Sequence, residues 1–412
     1  MIALGLTLLL AVASTTLSAG SNNAPYSIRQ VTFVGSEGHA GSDPALVIGK
    51  DGALHLFWAE TTEGFERIWY RRSVNDSWGS RQDISWNIAL SQSTENITRG
   101  NADVATPAAA IDSAGTVHAV WVQTFEHRLD HHYATVAGGV VSDPIEPQMF
   151  VAEGADYLNK DDRNPCVATR SFGLVAVAWE RGDPPYVALT TRKTSGDFSP
   201  PLQILTQGRT AAMPSMVVDP NDVIYVVWIE RNLEDTSWDV MLYDAQAGTR
   251  ALSSSSVIRS APGMVLSPDG GVLTAWFETI PDLRMVHSMT PQPGRDLSLS
   301  SVGVSGAGDL SVGMFGDNQL DAVFRDDSTA RLPNVQTGWD AWSGWLHASP
   351  LDAIEAVDLE VRAIGKVSGA TSDGGRLLPF VARLQGERPT VWIASREDRA
   401  LAAALLTSVE GS

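Results

Sequence analysis

PALVIGKDGALHLFW, residues 44–58, opens with a proline, runs apolar, turns at a glycine and closes on a tryptophan. The same frame recurs as PAAAIDSAGTVHAVW to Trp121, PCVATRSFGLVAVAW to Trp179, PSMVVDPNDVIYVVW to Trp228 and PGMVLSPDGGVLTAW to Trp276. It recurs once more, without the proline, as LSVGMFGDNQLDAVF from Leu310 to Phe324. Pro44, Pro107, Pro165, Pro214 and Pro262 each stand fourteen residues before their aromatic partner. Repeats spaced by about 48–63 residues are the mark of a propeller, a solenoid or another array.

Six residues before each aromatic stands Gly52, Gly115, Gly173, Asp222, Gly270 or Asn318. These residue types tolerate positive φ, so each unit is expected to be a strand, a tight turn and a second strand. A third strand is expected at RIWYRRS, LDHHYAT, YVALTTR, DVMLYDA, LRMVHSM and TVWIASR, and a weaker fourth at PPLQILT and RDLSLSS. Four antiparallel strands per repeat describe the blade of an all-β propeller. A first strand apolar on both faces suits the innermost position, and the closing aromatic is expected to pack between blades. Proline at the start of that strand removes a donor that has no ladder partner.

A seventh unit is expected around SDGGRLLPFVA, where Gly375 precedes Val381 by six. The expectation is seven blades, with six as the alternative. The N-terminal run SIRQVTFV reads as a fourth strand without a blade and is expected to close the ring on the last one, removing exposed edges. ALAAALLTSV competes for that place or forms a short C-terminal helix.

The chain has 412 residues and a net charge of −19, which argues against nucleic acid and anionic membranes as partners. Its single cysteine, Cys166, excludes an internal disulfide and a multi-cysteine metal site and reads as a small buried hydrophobe. MIALGLTLLLAVASTTLSA, residues 1–19, reads as a secretory signal peptide with an apolar core too short to span a bilayer. An uncleaved anchor is the alternative. Residues 20–412 are then one secreted propeller domain, with no membrane span after cleavage.

The repeat form, proline, apolar run, D-x-x-G, apolar run, tryptophan, resembles the sialidase-like, bacterial-neuraminidase-repeat propellers over roughly residues 40–350. Ser73-Val74-Asn75-Asp76-Ser77-Trp78 is a shortened version of that family's Asp-box, with fainter versions at Thr194–Phe198 and Gly338–Trp342. The resemblance implies that the box is structural, on the face away from the active site. The sialidase Arg-Ile-Pro motif is absent, since Ser27-Ile28-Arg29-Gln30 does not match it.

In such a unit the loop after the second strand and the loop entering the first open on one face. The first loop carries Glu60, Gln123, Glu180-Arg181, Glu230-Arg231, Glu278 and Arg325-Asp326. The second carries Arg99 and Asp103, Asp161-Asp162-Arg163, Arg209 and Arg259. Arg99, Arg163, Arg209 and Arg259, with Tyr157, are the candidate ligand contacts, because guanidinium forks take carboxylates bidentately. Glu60, Glu180, Glu230 and Glu278 are the candidate acid and base, because paired carboxylates perform that work on glycosides. The alternative is structural: equivalent Glu and Arg on adjacent blades would pair as an ion network. Asp156, Asn159, Asp161 and Asp162 could hold Ca²⁺ but lack the regular spacing and glycine of an EF-hand loop, so no metal and no cofactor is expected. His131 and His132 alternate on a strand and cannot join at one metal, and the equivalent positions of His55 and His118 favour packing. Two readings follow: an extracellular scaffold for a glycan or protein ligand, and a sialidase-like glycoside hydrolase or lyase. No oligomeric state can be read from these residues.

Overall fold

The computed structural model describes residues within 27–396, apart from 32–38, 85–106, 143–161, 289–294, 300–306, 327–334, 351–358, 369–375 and shorter turns. The signal-peptide reading, the segment 401–410 and the turn residues Gly270, Asn318 and Gly375 lie outside the described residues.

Nearly everything described is β-strand, in seven sheets that follow chain order. The first holds Ala45–Ile48, Leu54–Thr62, Phe65–Val74 and Ser77–Trp78. The second holds Ala108–Ile111, Val117–Phe125, Arg128–Ala137 and Val140–Val141. The third is built from Asp162–Thr169, Val175–Arg181, Tyr186–Arg192 and Leu202–Ile204, and the fourth from Arg209–Val218, Ile224–Asn232, Trp238–Asp244 and Gly248–Ser255. The fifth contains Gly263–Leu266, Val272–Thr279, Asp282–Ser288 and Arg295–Leu299. Sheets two to five are four-stranded antiparallel meanders, the pattern of a β-propeller. The first strands of successive sheets touch one another from sheet one to sheet seven.

The turn expectation holds where it is described. Gly52, Gly115, Gly173 and Asp222 have φ of 75°, 85°, 75° and 63°. In two repeats an aspartate nine residues before the tryptophan pins the turn. Asp112 Oδ1 accepts from the N–H groups of Ala114 and Thr116, and Asp219 Oδ1 from those of Asn221 and Val223. These carboxylates satisfy turn donors that have no ladder partner.

The tryptophans pack as wedges between sheets. Trp58, Trp121, Trp179, Trp228 and Trp276 are all at most 1% exposed. Trp121 lies among Ala45, Val47, Phe57 and Tyr70 of sheet one, and Trp179 among Ala108, Val120 and Tyr133 of sheet two. Trp228 packs on Cys166, Ala176 and Leu189 of sheet three, and Trp276 on Tyr225, Val227 and Val240 of sheet four. Each aromatic thus faces the sheet before its own. Trp58 packs on Val391 and Ile393, which belong to sheet seven.

Sheet seven consists of Leu359–Ile364, Arg376–Leu384, Thr390–Arg396 and, at its outer edge, Ser27–Gln30. The N-terminal strand pairs antiparallel with Thr390–Arg396, from Ser27 opposite Ser395 to Gln30 opposite Trp392. Val31 adds a hydrogen bond to Val391. Lys366–Ser368 pairs in parallel with Ala45–Ile48 of sheet one.

Two expectations need correction. Sheet six, whose first strand Ala307–Phe315 pairs antiparallel with Gln319–Asp326, is not fully antiparallel: Gln319–Asp326 pairs in parallel with Gly344–Pro350, and Val335–Trp339 lies outside it. The intervening residues 327–343 are long enough for a parallel crossover, which takes a dozen or more. Pro165 and Pro214 are not at strand starts. They lie inside Asp162–Thr169 and Arg209–Val218, where the ladder skips between Arg163 and Cys166 and between Ala212 and Ser215. A bulge lifts the proline out of the ladder, so its missing N–H costs no pairing.

Candidate functional site

Pairing places the ends of the second strands and the starts of the first strands at one end of the sheets. In sheet three Asp162 lies opposite Arg181, and Arg163 opposite Glu180. In sheet four Arg209 lies opposite Asn232, and Ala211 opposite Glu230. Charged side chains gather at this end and are largely buried: Glu60, Asp162, Glu180, Arg181, Glu230 and Asp239, with His131. Buried charges persist only when paired or hydrogen-bonded, and the partners follow a pattern.

Side chains alternate along a strand, so a residue two places after the tryptophan shares its face. Glu60 Oε2 accepts from the Trp58 indole N–H at 3.1 Å, and Glu230 Oε1 from that of Trp228 at 3.1 Å. Arg81 holds Glu60 Oε1 at 2.9 Å. Arg209 lies 3.7 Å from Glu230 Oε2 and also donates to Asp239 in a short contact. Sheet three swaps the signs. Arg181 stands two places after Trp179, and the indole donates to Asp162 Oδ1 on the first strand at 2.9 Å. Arg181 Nε is 4.0 Å from the same oxygen, and His131 Nδ1 of sheet two is 3.2 Å from Oδ2. His131 therefore faces sheet three, while its neighbour His132 stacks on Trp121. Burial, with the charge of His131 beside it, pushes His132 down to about 3.

Glu180 differs. It stands one place after Trp179 and so faces the next sheet. Its Oε1 accepts from Asn164 Nδ2 at 2.5 Å and from the Met213 N–H of sheet four at 2.5 Å. Oε2 takes no hydrogen bond from the described residues and is not sealed from solvent.

A contact between ionisable side chains at this end crosses between sheets, His131 of sheet two with Asp162 of sheet three. Among the described residues Glu60 and Glu230 pair with arginines of their own sheets: Arg209 reaches Glu230 from the neighbouring ladder strand, and Arg81 reaches Glu60 from beyond the third strand. Arg163 is exposed, on the strand opposite Glu180. Glu278 lies on Val272–Thr279 two places after Trp276, with its side chain outside the described residues. Arg99, Tyr157 and Arg259 also lie outside them, as do Asp156, Asn159 and Asp161 of the Ca²⁺ reading. No group of three or more His, Cys, Asp or Glu that could hold a metal occurs among the described residues. The sequence reading missed Asn164, Arg81 and Asp239. The available signal for Asn164 was its place directly before the repeat proline, shared by Met213.

At the opposite end the histidines are structural. His55 Nδ1 lies 2.8 Å from Tyr70 Oη, and His118 Nδ1 lies 2.6 Å from Tyr133 Oη. His118 Nε2 meets Asp112 at 3.2 Å, so Nε2 carries the proton and the Tyr133 hydroxyl donates to Nδ1. Arg192 donates to the Tyr133 oxygen at 2.8 Å. Burial pushes His55 down to about 4 and Tyr133 up to about 12.

No family model matches the chain, and no curated protein matches it. Among solved structures, it is similar to a protein of unknown function from Dyadobacter fermentans, at 10% identity and a TM-score of 0.48, over 90% of this chain and 99% of that one. It is similar to an α-L-arabinanase of Penicillium chrysogenum at 12% identity and a TM-score of 0.47, over 89% of this chain and 94% of that one. A polysaccharide lyase is similar at 10% identity and a TM-score of 0.49, over 87% of this chain and 90% of that one. No helix among the described residues is long and apolar enough to cross a membrane.

Proposed function

We propose that this chain is an exported β-propeller that takes a glycan at its charged end, with residues 1–19 a secretory signal and residues 20–412 one seven-bladed domain. Seven sheets in chain order support the blade count. The packing of Trp58 on Val391 and Ile393, with the strands 27–30 and 366–368 joining the two ends of the chain, supports a closed ring.

The observation that carries the function is the asymmetry of the two ends. One holds turn aspartates fixed by their own backbone, histidine–tyrosine pairs with Arg192 on one of them, and the Arg72–Asp51 ion pair. The other collects Glu60, Asp162, Glu180, Glu230 and Asp239 with Arg81, Arg163, Arg181 and Arg209. Guanidinium groups and carboxylates at a shared opening suit the carboxylates and hydroxyls of an acidic saccharide. Cleavage as well as binding is the second reading, a glycoside hydrolase or lyase. Glu180 favours it, because one of its oxygens is fixed and the other takes no hydrogen bond from the described residues.

Screening the exported chain on a glycan array, with polysaccharide depolymerisation assayed in parallel, tests both. Binding without product leaves the scaffold reading, and product formation establishes an enzyme. An array on which every glycan is ignored removes the proposal.

A further inference from the structure

Two kinks in neighbouring sheets converge on one carboxylate. Asn164 and Met213 each stand directly before the repeat proline, each within a bulge of the first strand, with φ of 47° and 56°. Positive φ is uncommon for any residue but glycine, and methionine has no side-chain hydrogen bond to compensate for it. The residue before a proline normally extends instead. Both kinks have the same visible result: one aims the Asn164 amide and the other the Met213 N–H at Glu180 Oε1. Glu60 and Glu230 have no such clamp and rest on an indole and an arginine. Arg163 lies opposite Glu180 in the ladder and is exposed, and Met213 is 44% exposed.

Resting on the glycan-directed reading above, we infer that Glu180 Oε2 is the hydroxyl-accepting group of a saccharide subsite between sheets three and four, with Arg163 taking a uronate carboxylate and Asn164 acting as a positioning residue. A carboxylate anchored at one oxygen offers the other in a fixed direction, so a sugar hydroxyl bonds it without first ordering the side chain. The Met213 side chain supplies an adaptable apolar flank for the C–H face of the ring.

Titration calorimetry with polygalacturonate and with neutral arabinan, alongside thermal melts, tests the subsite. The wild-type chain binds polygalacturonate more tightly than arabinan. Glu180→Gln weakens polygalacturonate binding by about tenfold or more, the size expected for hydrogen bonds to a charged group. Asn164→Gly keeps the positive φ without strain and removes only the amide donor, so it weakens binding several-fold while Tm holds. A merely structural role would lower Tm and leave affinity alone. Arg163→Gln, at an exposed position, weakens the uronate and spares arabinan, and it serves where Glu180→Gln does not fold. Full polygalacturonate affinity in both Glu180→Gln and Arg163→Gln overturns the subsite and leaves the glycan reading standing. Equal binding of the two polymers overturns the uronate role of Arg163, and binding of neither overturns subsite and glycan reading together.

Discussion

At the scale of single residues, the buried indole N–H of three repeat tryptophans finds a carboxylate, whereas that of Trp276 has no acceptor among the described residues. Trp58 and Trp228 meet a glutamate two places on, and Trp179 meets Asp162 from the adjacent strand. Trp228→Phe keeps most of the apolar volume but takes the only hydrogen bond from Glu230 Oε1 among the described residues. Its expected cost is about 1–3 kcal/mol, the penalty of a buried group left unmatched, read from urea unfolding. The neutral histidines set a pH dependence. His55 and His132 have folded-state values near 4 and 3, below the ordinary 6.5 of an unfolded chain. Below pH 6.5 the unfolded chain therefore binds protons that the fold refuses. Their contribution to stability is intact above pH 6.5 and falls as pH drops towards 4 and then 3. Melts between pH 7.5 and 4 should show Tm falling, and His132→Phe should flatten the slope. A slope unchanged by that variant would exclude His132 as a source.

At the scale of elements, the hairpin of each repeat was legible because glycine and a period-two apolar pattern are local signals. The acidic residue two places after the tryptophan was visible too, and alternation explains why it shares the indole's face. The bulges were not legible. A residue before proline is ordinarily extended, and only the contact with Glu180 in another sheet shows why Asn164 and Met213 depart from that. Arg81 gave no signal, since it reaches Glu60 from beyond the third strand. Close packing between first strands is equally invisible in one dimension. A Cβ on Gly263 of sheet five would sit 2.5 Å from Val312 Cγ2 of sheet six. Gly263→Ala should cost about 1–3 kcal/mol by overpacking, and Val312→Ala in the same chain should recover part of it. Denaturant melts of the two single variants and the double variant give the coupling, and strict additivity would show that the contact is slack.

At the scale of the whole molecule, the first and last sheets share a core. A Cβ on Gly365 would lie 1.9 Å from the Pro44 carbonyl oxygen, a backbone atom that no rotamer change can move. Gly365→Ala should therefore part Lys366–Ser368 from Ala45–Ile48 and lower Tm more than Gly263→Ala does. Melting of the two variants side by side checks the order, and an unchanged Tm would show that the junction yields without loss.

The wedge made by Trp58 has a consequence in time. Trp121, Trp179, Trp228 and Trp276 each find their seat on residues already synthesised, whereas Trp58 needs Val391 and Ile393, made more than three hundred residues later. On the ribosome the earliest repeat must wait with a large apolar surface uncovered until the tail emerges. Nascent chains halted before residue 390 should engage chaperones through that region and be nicked there by protease, and release of the complete chain should end both.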